Sequence, residues 1–229
     1  MLAVGASCGD ATPNSGFGAN AGSDSSAPET GGPGFGDAGT VSDGGKPGAP
    51  SLVPNGDFEQ GNVLFGSDYA YATSNTLEGQ YTAGANGQAF NGSLVSDGDH
   101  TSGHGLMFIG NGKATPDRVW FTSGVVSVQP STQYYFEAWV MNLCCAKNLG
   151  DGVDPVGPSI LSFYANDQLL GTRTSAKLGV WEGLSTTWNS GTASSVTLKL
   201  VNANTEAIGN DFAVDDIYLG TQTSIPVPK

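Results

Sequence analysis

The chain has 229 residues, enough for one sizeable domain with an extension or for two small domains. Eight Lys and Arg stand against 21 Asp and Glu, a formal charge of -13, which repels phosphate backbones and anionic lipid and so argues against nucleic-acid or membrane-surface binding. Only 13% of residues are charged while Gly numbers 35, a composition that excludes an all-helical fold.

The opening Met1-Leu2-Ala3-Val4-Gly5-Ala6-Ser7-Cys8 is small and apolar and runs into a polar tract. It resembles the end of a bacterial lipoprotein signal peptide, which makes Cys8 the expected lipidated residue and implies a lipid anchor on a secreted or outer-surface protein. Residues 9–50 hold 12 Gly and 5 Pro, with Val41 the single branched aliphatic and Phe17 and Phe35 the single aromatics. Such a segment buries too little apolar surface to offset its conformational entropy, and it is read as a disordered Gly/Pro/Ser-rich linker. Its span is roughly 35 Å, suited to a tether. No stretch of 18 apolar residues exists, so no transmembrane span is expected.

From Ser51 the texture changes. Every Trp and Tyr lies beyond this point, and short β-rich runs recur between Gly, Asn, Asp and Pro. Strands are expected near 52–60, 79–84, 88–95, 104–110, 118–128, 132–143, 159–170, 181–188, 194–203 and 211–219. In the clearest, Tyr134, Phe136, Ala138 and Val140 fall on one face and Tyr135, Glu137, Trp139 and Met141 on the other. The first set is the expected core, joined by Leu161, Phe163, Ala165, Val196, Leu198 and Leu200 from later strands and by Trp188. Many short alternating strands without helical runs mean an all-β fold, an antiparallel β-sandwich over residues 51–220 followed by a tail at 221–229.

Leu52-Val53-Pro54-Asn55-Gly56-Asp57-Phe58-Glu59 at the domain start and Asn210-Asp211-Phe212-Ala213-Val214-Asp215-Asp216-Ile217 at its end resemble the paired terminal motifs of galactose-binding-like jelly-roll domains. Gly98-Asp99-His100-Thr101-Ser102-Gly103, Tyr134-Tyr135-Phe136-Glu137-Ala138-Trp139 and Trp188-Asn189-Ser190-Gly191 are similar to the subset found in bacterial surface proteins and in carbohydrate-binding modules of families 4, 9 and 22. The resemblance implies a structural calcium ion joining the first and last strands. Its ligands would be Glu59 and Asp215 or Asp216, with a backbone oxygen at Asn55 or Asp57 contributing. Adjacent acids in a regular strand point to opposite faces, so one of the pair needs a bulge to reach inward. Asp97, Asp99, Asp151 and Asp154 form a weaker second set.

Sugars present flat C–H patches and rings of hydroxyls, and a site for them needs exposed aromatic faces flanked by hydrogen-bonding groups. Tyr135, Glu137 and Trp139 share one strand face, and Tyr164 would join them if the following strand were a sheet neighbour. Cys144-Cys145 opens a long loop directly after Trp139. The two either form a vicinal disulfide, an apolar plate beside a sugar, or remain buried thiols or bridge to another molecule. Trp120 and Trp181 are less decisive. His100 and His104 have the spacing of a zinc helix motif without its Glu and in a glycine-rich loop, which argues against a metal there. No nucleophile elbow or phosphate loop occurs. The expected function is therefore non-catalytic binding of a polysaccharide or glycan. The alternative is an adhesion or structural surface domain whose same face meets a protein.

Overall fold

The computed structural model describes residues 50–145, 157–206 and 209–225. Cys8, nearly all of the expected linker, Asp151 and Asp154 lie outside the described residues. The strands are β1 (Phe65–Gly66), β2 (Ala70–Tyr71), β3 (Gln80–Gly84), β4 (Met107–Asn111), β5 (Asp117–Thr122), β6 (Val126–Ser127) and β7 (Gln133–Asn142). They continue as β8 (Ser159–Ala165), β9 (Gln168–Ser175), β10 (Glu182–Asn189), β11 (Ser195–Val196), β12 (Leu198–Asn202) and β13 (Asp211–Gly220), and one helical turn, α1, spans Gly87–Phe90. One sheet has the order β1-β5-β12-β8-β9 and the other β10-β7-β13-β4-β3-β2, with β6 and β11 as a separate pair. Pairing is antiparallel except between β2 and β3. The expected all-β sandwich is the observed fold, and no helix among the described residues is long and apolar enough to cross a membrane.

The core is built by the two-residue alternation read from the sequence. Tyr134, Phe136, Ala138 and Val140 of β7 face Leu161, Phe163 and Ala165 of β8 and Leu198 and Leu200 of β12, all buried in one cluster. The Phe136 and Phe163 rings meet edge to face at 5.1 Å, joining the two sheets. Trp120 and Trp188 are also buried here.

Four expectations are corrected. Residues 52–60 are turns, because Asn55 and Phe58 adopt positive φ of 51° and 56°. The Asn55 side chain braces that turn by donating to the Gly61 and Val63 carbonyls at 3.0 and 2.8 Å. Gly56 is obligatory there, since a Cβ would lie 2.1 Å from the Ile217 carbonyl oxygen. Second, 88–95 holds α1, and the Asn86 side chain caps it by accepting from the Ala89 N–H. Third, 159–170 is two strands, β8 and β9, turned at Asn166 with φ 53°. Finally, β7 and β8 lie in different sheets, so Tyr164 cannot share a platform with Trp139. Tyr164 instead stands under the Lys199 ammonium, 4.8 Å from its ring centre.

The outward face of β4, β7 and β13 carries a second apolar cluster. Met107, Ile109, Met141 and Ala213 lie beneath Phe90, Leu94, Leu143 and Cys144. Asn86 closes this cover at its edge, donating also to the Ser96 carbonyl at 3.0 Å. Asn86→Ala is expected to lower stability by about 1 kcal/mol, measured by urea unfolding at unchanged m-value.

Candidate functional site

The outward face of the β10-β7-β13 ribbon is covered from both ends, leaving a window in the middle. At one end stands the second apolar cluster, with Cys144 inside it and Cys145 and Trp181 packed against its margin. The two cysteines are joined by a disulfide. At the other end the segment after β13 crosses Glu137. Between them Trp139 is half-buried, and Asp215 is its register partner on β13.

Trp139 is not bare on both faces. The His100 imidazole stacks on it, with ring centres 3.9 Å apart and 15° between planes. Trp181 meets the same imidazole edge-on at 5.8 Å, and its indole N–H donates to the Gly98 carbonyl at 3.1 Å. His100 is fixed from below. Its Nδ1 lies 2.7 Å from Asp216 Oδ2, with side-chain exposures of 26% and 31% for the two residues, so the pair is reachable from solvent. The Thr101 hydroxyl donates to Asp216 Oδ1 at 2.9 Å.

The geometry of β13 makes this possible. Register shifts between Asp215 and Tyr218, and Asp216 sits at φ 46°, so a bulge sends the two adjacent acids to separate partners. Asp216 reaches His100, while Asp215 is fully buried and accepts from the backbone N–H of His100 at 2.8 Å and from that of Asp216 at 2.8 Å. Burial, the Asp216 charge and the Asp99 charge push the Asp215 carboxyl up to about 8. Asp99 behaves oppositely: burial raises its carboxyl, but the N–H groups of Ser102 and Gly105 and the Ser102 hydroxyl outweigh that and hold it below the usual range.

The calcium ligands implied by the terminal motifs fit in part. Glu59 accepts from the Leu106 N–H at 2.8 Å, one residue beyond Gly105, whose N–H goes to Asp99; Glu59 and Asp99 thus brace the same loop. Asp215 has the character of a cation ligand, a buried carboxylate whose charge its own surroundings oppose. Asp57 is exposed, with Oδ1 3.5 Å from the Glu59 nitrogen, and Asp216 is turned to His100. Among the described residues, no three of Glu59, Asp57, Asp215 and Asp216 bring oxygens within 4.8 Å of one another. Of the four, Asp215 alone is a buried carboxylate, and Glu59 is exposed with Oε1 on the Leu106 N–H.

Of the expected aromatic platform, Tyr135 and Trp139 are half-buried on the outward face with Glu137 between them. Glu137 has no exposed surface. Two contributors were not legible in sequence. His100 stands 39 positions from the ring it covers, and only its place in the Gly98–Gly103 motif marked that loop. Trp181 shows no periodicity that separates core from margin. A pocket of about 390 Å³ lies elsewhere, against Leu52, Pro54 and the Thr122–Ser127 segment, and has no titratable side chain in its lining.

No protein-family model matches the chain, and no curated protein matches it. Solved structures do align with it. A cyclase from Fischerella sp. TAU, in complex with 4-(1H-indol-3-yl)butan-2-one, aligns with TM-score 0.50 and 13% identity over 78% of this chain and 100% of that one. A family 16 carbohydrate-binding module aligns with TM-score 0.46 and 16% identity, over 74% of this chain and 99% of that one. The C-terminal domain of the sugar-binding protein EclA aligns with TM-score 0.36 and 13% identity, over 45% of this chain and 66% of that one. At these identities the likeness is one of fold, that of a two-sheet, mainly antiparallel β-sandwich.

Proposed function

We propose that this domain binds a carbohydrate without cleaving it, at the window formed by Trp139, Trp181, His100 and Asp216. The observation that carries the reading is the group of three partly exposed rings at 3.9 and 5.8 Å beside a solvent-reachable carboxylate. Aromatic faces take the C–H side of a pyranose, and a carboxylate takes its hydroxyls. The resemblance of the Gly98–Gly103, Tyr134–Trp139 and Trp188–Gly191 motifs to carbohydrate-binding modules supports the same reading. Tyr135 extends the apolar surface along β7, and Cys145 and Trp181 both pack against the apolar cluster that holds Cys144. Calcium, held by Glu59 and Asp215, serves stability and fixes the 98–106 loop that carries His100. The setting is a secreted or surface-tethered lipoprotein anchored through Cys8.

Non-catalytic binding agrees with the state of the acids. Asp216 is paired with His100, and Glu137 is saturated with donors, so neither stands free to give or take a proton at a glycosidic bond.

The test is a glycan array followed by calorimetry with the best binder. Trp139→Ala should weaken binding about thirtyfold, the loss of an aromatic anchor worth roughly 2 kcal/mol. An array without signal, together with a protein partner recovered by cross-linking at Trp139, would replace this reading with adhesion.

A further inference from the structure

Glu137 is the least expected group on the outward face. It lies mid-strand in β7, two residues from Trp139, and has no exposed surface. Burying a carboxylate is costly unless donors replace the lost water. Five donors do so. The Ser185 hydroxyl donates to Oε1 at 2.9 Å from β10. The other four come from the short segment after β13: the Thr223 hydroxyl on Oε1, and the Ser224 N–H at 2.7 Å, the Ser224 hydroxyl at 2.6 Å and the Ile225 N–H at 3.3 Å on Oε2.

The floor on which this segment lies is made of small residues. Opposite Tyr135, Glu137 and Trp139, β10 presents Thr187, Ser185 and Gly183, which form a trough. Ile225 fills it at Gly183, where an added Cβ would lie 2.9 Å from Ile225 Cγ2. Gly183 is the register partner of Trp139. The segment therefore places two neighbouring hydroxyls on the two oxygens of one carboxylate and a hydrocarbon surface next to an indole.

That is the pattern of groups a pyranose ring offers: an adjacent pair of hydroxyls and a flat C–H face. We propose that Glu137 is a recognition site for a vicinal hydroxyl pair, kept closed by Thr223 and Ser224 and opened when sugar hydroxyls replace theirs. This rests on the carbohydrate reading of the Trp139 window and extends that site along β7. The closing segment is suited to displacement. Ser224 is exposed and Thr223 and Ile225 are only half-buried, and the described attachments include hydrogen bonds to Glu137 that a ligand's hydroxyls reproduce. Apparent affinity equals intrinsic affinity scaled by the open fraction, so loosening the segment strengthens binding.

Two measurements on the full chain test this, with soluble xylo-, cello-, manno- and galacto-oligosaccharides as probes. Calorimetry compares wild type with the Thr223→Val, Ser224→Ala double variant, whose affinity should rise about fivefold or more while Glu137→Gln in that background removes the gain. Amide hydrogen exchange on wild type follows Ser224 and Ile225, whose N–H groups should exchange faster when an oligosaccharide is bound. The proposal is overturned if the double variant binds no better and the two amides keep their protection with ligand. If Trp139→Ala still abolishes binding in that case, the segment is a structural clasp and the carbohydrate reading stands. Absence of binding by wild type and double variant alike sinks both.

Discussion

Raising the pH from 4 to 7 is expected to destabilise the domain by up to about 4 kcal/mol through Asp211 alone, and Asp211→Asn should remove that loss. Asp211 opens β13 and is buried. Burial, opposed by the Gly112 N–H and reinforced by the Glu78 charge, pushes its carboxyl up to about 7, from 3.8. The sign follows from proton counting. Below pH 4 the group is protonated whether the chain is folded or unfolded and contributes nothing. Between about 4 and 7 the unfolded chain has released the proton while the folded one keeps it, so stability falls by about 1.4 kcal/mol per pH unit. Above 7 both forms are ionised and the loss is complete. Asp215 acts in the same direction, to about pH 8. Asp68 and Asp99 act in the opposite one: the Arg118 side chain lowers the first, and loop N–H groups lower the second against burial, so their contribution is lost as pH falls below 4. Urea unfolding across pH 3 to 9 should therefore give maximum stability on the acid side of neutrality. The Asn variant should be the more stable protein at pH 8 and equal to wild type at pH 4. A wild-type curve that is flat between 4 and 7 would show that Asp211 ionises freely in the folded state.

The β-sandwich was legible where one face of a strand meets a core. In β7, β8, β10 and β12 the alternation Tyr134, Phe136, Ala138, Val140 and its counterparts is dictated by burial on one side, and the buried sets are the expected ones. The alternation fades where burial is two-sided or absent. β9 is an edge strand with Leu169 exposed and little of its length buried, so Gln168–Ser175 lacks the signal of a half-buried strand. Met141 sits on what reads as an outer face yet is fully buried, because the α1 segment covers it. The same limit governs the site. Trp139 and Glu137 were placed correctly on one face, since a strand's own pleat determines that. Their covers come from far along the chain: His100 by a loop folded back over β7, Thr223 to Ile225 by the residues that follow the last strand. A two-residue period carries no information on such contacts, and Tyr164 was misplaced for the related reason that adjacent strands in sequence need not be neighbours in a sheet.

Adding calcium to chelator-treated protein is expected to raise stability by about 2.7 kcal/mol at a hundredfold excess over its dissociation constant, an upward shift of roughly 5–10 °C in melting temperature. The argument turns on Asp215. Its carboxylate is fully buried, receives only two backbone N–H groups, and faces the like charges of Asp216 and Asp99. In the absence of a cation this is a destabilising charge, and burial together with the Asp216 and Asp99 charges pushes the carboxyl up to about 8. A divalent ion held by Asp215 and Glu59, as proposed, would reverse the balance, because the charge that opposed folding would become a ligand that favours it. Asp215→Asn separates the two states. It should stabilise the chelated protein at pH 8, where the wild-type carboxylate is being forced to ionise, and abolish most of the response to calcium. Glu59→Gln should weaken the calcium response without the gain in chelator, since Glu59 is exposed and its Oε1 has the Leu106 N–H as partner. Calcium-independent melting of wild type, with Asp215→Asn more stable under both conditions, would mean that the bulge in β13 serves only to aim Asp216 at His100.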